Sequence, residues 1–168
     1  SPRLRKLCRS MVYNGADLVT CQHSHCIGCA EEYSGSYILY GQGNFHFVAK
    51  QEDPMWNCGL VLDVEIRGDK PNIKLIPVVT GNGGIRIAGK YDSERILSAM
   101  DKRNTGDWAY GWNNYCEANR AAYTEKIARH YTENASEEDN QYFASRLTCE
   151  AHTDVWRELF KTWNCTNK

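Results

Sequence analysis

Between Cys21 and His46 the chain carries a run of side chains able to ligate a metal, move a proton or hold a charge: Cys21, His23, His25, Cys26, Cys29, Glu31, Asn44 and His46. His23 and His25 stand two residues apart. In an extended segment such residues point the same way, as two imidazoles must to bind a metal or flank a phosphate together. The interleaved thiols spell C-x-H-x-H-C-x-x-C, and mixed thiolate and imidazole donors suit tetrahedral zinc. A zinc ribbon, however, draws its ligands from two separated pairs, whereas here there is one cluster. Cysteines at the end of a buried strand also serve as small hydrophobes. A redox pair at Cys26 and Cys29 lacks a thioredoxin-like setting. Further on, Asn44 and His46 share one parity of an extended segment, with Phe45 and Phe47 on the other.

Two short strands are expected to position these residues. Asp17–Thr20 is apolar enough to be buried and leads into the histidines, and Tyr37–Tyr40 leads into a Gly43-Asn44-Phe45 turn. A helix precedes them. Ser1-Pro2 is a favourable start, Leu4, Leu7, Met11 and Val12 recur at helical spacing, and Asn14-Gly15 supplies the stop. Helix followed directly by strand reads as the tail of an α/β unit.

The ordered pattern Gly15-Ala16-Asp17-Leu18-Val19, His23-Ser24-His25, Glu31, Tyr33, Gly35, Ile38, Tyr40 and Gly43-Asn44-Phe45 resembles the CapA, or poly-γ-glutamate synthesis, family of bacterial capsule-synthesis proteins. Its domain is related to the calcineurin-like metallophosphoesterases. Ser24 departs from the usual Pro, Gly41-Gln42 from Ser-Leu, and Cys26 and Cys29 from apolar residues. The resemblance implies an α/β fold: the C-terminal part of a metallophosphoesterase-like two-sheet sandwich with flanking helices, residues 1–91, followed by a helical extension, residues 92–168. It also implies that His23 and His25 are metal ligands and that Asn44 contacts a metal-bound group or supports a histidine loop. Glu31 would orient His25 or its loop; His46 lies outside the family pattern, and its parity with Asn44 points it towards the same pocket. The implied cofactor is a pair of divalent ions (Mn, Fe or Zn), and the implied partners are an anionic polymer or phosphoester and the missing N-terminal part of the domain. On this reading the chain is half a site. It is catalytically silent alone and covers exposed surface by self-association or with the missing segment. The alternative is a non-enzymatic, zinc-stabilised interaction module built on the cysteine–histidine cluster.

Composition narrows the classes. With 42% apolar and 24% charged residues and a net charge of −1, the chain is an ordinary globular one. It has no basic cluster for tracking a nucleic-acid backbone and no apolar run long enough to span a bilayer. Eight scattered cysteines in 168 residues favour a reducing compartment over a disulfide scaffold. The expected location is therefore the cytoplasm, with an extracytoplasmic, membrane-associated location, as in anchored relatives, as the alternative.

Beyond the histidine region, Trp56–Arg67 and Asn72–Thr80 read as a long antiparallel hairpin. Leu60, Leu62, Val64 and Ile66 fall on its buried face, and Pro77 marks an edge or bulge. Ile85–Ala88 is expected to be extended and Ser93–Met100 helical. A longer helix is expected from Trp108 to about Tyr131, and a last helix from the Ser136 cap through Trp163. Their aromatic residues read as packing, and His130 and His152 as structural.

Overall fold

The computed structural model describes residues 1–47, 54–68, 70–81, 83–126 and 135–161, and it is mixed α/β, as expected. His130, Tyr131 and Trp163 lie outside the described residues. The elements, in order, are α1 (Pro2–Tyr13), β1 (Leu18–Thr20), β2 (Ala30–Tyr33), β3 (Ser36–Leu39), β4 (Cys58–Arg67), β5 (Lys70–Gly81), β6 (Gly84–Ile87), α2 (Lys90–Thr105), α3 (Trp108–Ala118), a π-helical turn (Ala122–Lys126), α4 (Glu137–Leu147) and α5 (Glu150–Leu159). Two compact units result, Leu4–Gly106 and Asp107–Lys168, the latter joined by Ser1–Arg3.

The larger unit contains two three-stranded sheets, ordered β1-β3-β2 and β4-β5-β6. β1 runs parallel to β3, pairing Val19 with Ile38, and β2 returns antiparallel, pairing Glu31 with Ile38. On the α1 side of this sheet, Cys8 and Val12 bury against Val19 and Ile38. A second core joins the sheets to α2: Ile27 and Leu39 meet Cys58 and Leu60 of β4, Val79 of β5, and Ile96 and Met100 of α2. Alternation explains the division, since neighbouring residues Ile38 and Leu39 point to opposite faces and each is fully buried in a different core.

The polar β2, sequence Ala-Glu-Glu-Tyr, was not foreseen from the pattern. It is held on its α1 side by Glu31, whose carboxylate accepts from Arg5 (2.9 Å), from Arg9 (2.8 and 3.0 Å) and from the Tyr40 hydroxyl (2.5 Å). An ionic clamp here replaces the apolar alternation from which a strand is ordinarily read.

The expected β4–β5 hairpin forms, and its register runs from Cys58 opposite Val79 to Arg67 opposite Lys70. The expectation of a continuous buried face is corrected. Leu60 is buried and Leu62 packs on the core, but Val64 is 39% and Ile66 79% exposed. The ribbon outruns β6, which pairs only with Val78–Gly81 of β5, and among the described residues no core cluster reaches its tip. Pro77 lies on the central strand opposite Leu60. Its carbonyl accepts from Ala88, one residue past β6, and Leu60 N–H is taken by Gln42. The ladder therefore needs no donor from the proline.

In the smaller unit Cys116, Val155 and Leu159 form the core, with Trp112 and Tyr123 against them. Asp107 caps α3, accepting from the Ala109 and Tyr110 amides, and Ser136 caps α4 in a capping box with Asp139. Two expected long helices are broken. At the end of α3, the Asn119 side chain donates to the Tyr115 carbonyl (2.8 Å). After α4, the Thr148 hydroxyl donates back to the Ala144 carbonyl (3.2 Å), and Cys149 is extended, at φ −91° and ψ 116°. Both side chains compete for helical carbonyls, as Asn and Thr do at helix ends. α2, by contrast, runs past Ser93–Met100 at both ends, because the apolar stripe marks only the buried middle of the helix.

Candidate functional site

The segment Cys21–Gly28 is a loop pinned at both ends to the strand that follows β2. Cys21 N–H donates to Leu39 C=O (2.9 Å), Ile27 bridges to Gln42, and Gly28 N–H donates to Gly41 C=O (2.9 Å). Between these anchors the chain is not extended. His23 has φ 83° and His25 φ 55°, both in the left-handed region that costs a non-glycine residue on the order of 1 kcal/mol. The expected reason for the histidines to face together, strand alternation, is thereby corrected. They converge through two left-handed kinks, with ring centroids 6.1 Å apart.

His25 is the better fixed of the two. Asn44 Nδ2 donates to the carbonyls of Trp56 (2.9 Å) and His25 (3.3 Å). Carbonyls only accept, so the amide orientation is set and Asn44 Oδ1 faces His25 Nδ1 as acceptor, at 2.9 Å. His25 therefore carries its proton on Nδ1, which leaves Nε2 as the atom that can take a metal or a proton. A hydrogen bond to one ring nitrogen commonly prepares the other for ligation in this way. Asn44 is itself buried, and its amide N–H donates to Cys58 C=O (3.0 Å). That approach needs glycine on both sides. A Cβ on Gly43, at φ +74°, would stand 2.6 Å from the Cys58 oxygen, and one on Gly59 would stand 2.3 Å from the Asn44 oxygen.

His23, His25, Asn44, Phe45, His46 and Phe47 line one cleft of about 670 Å³, with Gln22 and Gln42 at its wall. His46 thus reaches the same cleft as Asn44. The expected parity fails for the phenylalanines: the chain bends at Phe45–His46, and the Phe47 ring comes within 4.8 Å of the His25 ring. Trp56 was missed. Its ring stacks on His25 at 5.1 Å with an interplanar angle of 28°, and its carbonyl holds Asn44. No local pattern announces it, because the contact depends on the long-range bridge between Gly43 and Gly59. The Gln22–Gln42 amide pair, at 2.6 Å, was likewise unforeseen.

Glu31 is not among the residues lining the cleft. The two arginines and Tyr40 that bind it hold its carboxyl down at about 2. The cysteines also disperse: Cys26 is exposed, Cys29 is half-buried with burial pushing its thiol up, and the Cys21 sulfur faces Cys8. In the smaller unit, His152 Nδ1 pairs with the Tyr123 hydroxyl at 2.6 Å.

For the implied metals, His25 through Nε2 and its neighbour His23 fit as neutral imidazole ligands. Among the described residues no Asp or Glu side chain lines the cleft, and no group of three or more His, Cys, Asp or Glu is gathered to hold an ion. The cleft thus offers two imidazoles on a prepared loop, with His46 also in its lining beside aromatic and amide walls.

A mixed α/β chain that presents a histidine pair from a strand-anchored loop is the class defined by this geometry. Residues 1–49 match the family described as bacterial capsule synthesis protein PGA_cap, a span that contains His23, His25, Glu31, Asn44 and His46. The match supports a role in capsule synthesis. Among curated proteins the chain has no match. No helix among the described residues is long and apolar enough to cross a membrane.

Proposed function

We propose that residues 1–49 contribute the histidine part of a metal-dependent, phosphoester hydrolase-like site in a bacterial capsule-synthesis protein, acting on a phosphoester or an anionic polymer of the poly-γ-glutamate type. The observation that carries this reading is the Asn44–His25 bond of 2.9 Å within the span similar to the capsule-synthesis family. It sets one imidazole in the tautomer that a metal ligand needs. His25 Nε2 and His23 would hold a divalent ion, Asn44 would keep the His25 ring in place, and His46 lies within reach of a bound anion. When bound, the metal pair supplies an activated water and neutralises phosphoryl charge. Two imidazoles bring none of the negative charge that a pair of divalent ions needs. The reading therefore requires carboxylate ligands beyond the residues described as lining the cleft.

The full-length protein is the material for the test. His23→Ala with His25→Ala should lose most of its bound transition metal by elemental analysis, along with any phosphoesterase activity. Cys26→Ser with Cys29→Ser should retain both. Undiminished metal in the histidine variant would overturn the assignment. Loss of zinc and of folding in the cysteine variant would favour a structural zinc site instead.

A further inference from the structure

Of the thiols outside the cleft, two stand in direct contact. Cys8 comes from the buried stripe of α1 and Cys21 from the residue after β1, and their sulfurs are 3.5 Å apart. Neither is in a disulfide. Cys8 is 1% exposed, whereas Cys21 is partly open to solvent. A disulfide sets its sulfurs at about 2.05 Å, so closure requires about 1.5 Å of approach.

We propose that Cys8 and Cys21 are a paired modification site, converted by a small disulfide oxidant of the oxidised-glutathione class into one intramolecular disulfide that staples α1 to the origin of the histidine loop. In the first step the more accessible Cys21, as thiolate, attacks one sulfur of the oxidant. The oxidant's S–S bond breaks, a mixed disulfide forms on Cys21 and one glutathione thiolate departs. In the second step Cys8 gives its proton to solvent base and attacks the Cys21 sulfur, and the second glutathione thiolate departs. Two protein thiols are oxidised, and one disulfide is reduced to two thiols.

The setting decides the order of events. Burial, and then the adjacent Cys21 thiol, push the Cys8 thiol up to about 12. Cys8 is thus a poor first nucleophile, and the second step accelerates as pH rises. Cys21 N–H is bonded to Leu39 and His23 is two residues on, so the staple fixes the root of the loop that carries the histidines. Because closure needs an oxidising environment, the redox state of this pair also reports the compartment in which the protein works.

The test uses the whole chain with Cys26→Ser and Cys29→Ser, which removes the competing thiols nearest in sequence to Cys21. After equilibration with oxidised glutathione and an acid quench, mass spectrometry of the trypsin-cleaved protein should show the Leu7–Arg9 peptide linked to the peptide carrying Cys21. The melting temperature should rise by about 5 °C or more relative to the reduced protein. Adding Cys21→Ser should abolish both the linked peptide and the rise. Free Cys8 and Cys21 after oxidation, a Cys8 cross-link surviving Cys21→Ser, or a melting temperature lowered by the cross-link would each overturn the proposal.

Discussion

Asn44 does at the scale of one residue what a loop does not do for itself. Three of its side-chain contacts converge on His25 and Trp56, and it is buried, so truncation removes all three bonds at once. Asn44→Ala should therefore cost about 1–3 kcal/mol in urea unfolding and let the His25 proton leave Nδ1. The latter is visible as altered ¹⁵N shifts of the ring, and an unchanged tautomer would contradict the assignment. Glu31 supplies a second residue-scale prediction. Hydrogen bonds from Arg9 foremost, then from Arg5 and Tyr40, lower its carboxyl from 4.5 to about 2. A depressed carboxylate contributes stability that is complete above its unfolded value and is lost as pH falls through the folded one. Stability should thus decline between about pH 5 and pH 2 by on the order of 1–2 kcal/mol, after allowance for solvent around the clamp. Glu31→Gln should flatten that slope, and an equally steep decline in the variant would remove Glu31 as its source.

At the scale of elements, the crossing of the Asn44 turn over β4 positions the cleft, and it tolerates no side chain at Gly59, where a Cβ would meet the Asn44 oxygen at 2.3 Å. Gly59→Ala should force the two segments apart, lowering stability by about 1–3 kcal/mol and broadening the His25 ring signals. The hairpin is graded along its length. Leu60→Ala, in the core, should cost about 2–5 kcal/mol, whereas Ile66→Ala, at the exposed tip, should stay within about 0.5 kcal/mol. Equal losses would mean that the tip is covered in solution. The same gradient marks how far the sequence was legible. Alternation from Leu60 to Ile66 located the strand and its parity, but burial depends on what lies above each residue, and no pattern within β4 encodes that. β2 was invisible because its stability comes from Arg5 and Arg9, more than twenty residues away in sequence from Glu31. At the site, His23, His25 and Asn44 line one cleft, but the strand alternation expected to turn the two histidines together is not what brings them there. The left-handed kinks and the stacked Trp56 did not follow from spacing, since both depend on pairing between distant segments.

At the scale of the molecule, the cores are separate in sequence. The clusters that bury the sheets contain only residues of Leu4–Gly106, and the cluster of Cys116, Val155 and Leu159 lies wholly in the helical unit. The residues that line the cleft all belong to the first unit. Substitutions without shared partners act independently, so a cavity opened in the helical core should not alter the site. Val155→Ala should destabilise the helical unit by on the order of 1–3 kcal/mol and shift Trp112 and Trp156 signals. The His25 ring shifts and the affinity of the chain for added Zn²⁺ should remain as in the unaltered protein. That affinity should itself be modest, because two neutral imidazoles leave the charge of the ion uncompensated. Removing His25 should abolish it, whereas Cys26→Ser should leave it intact. The measurement is a calorimetric Zn²⁺ titration of the three variants, Val155→Ala, His25→Ala and Cys26→Ser, beside the parent chain. A loss of zinc binding in Val155→Ala matching that in His25→Ala would show that the site depends on the helical unit.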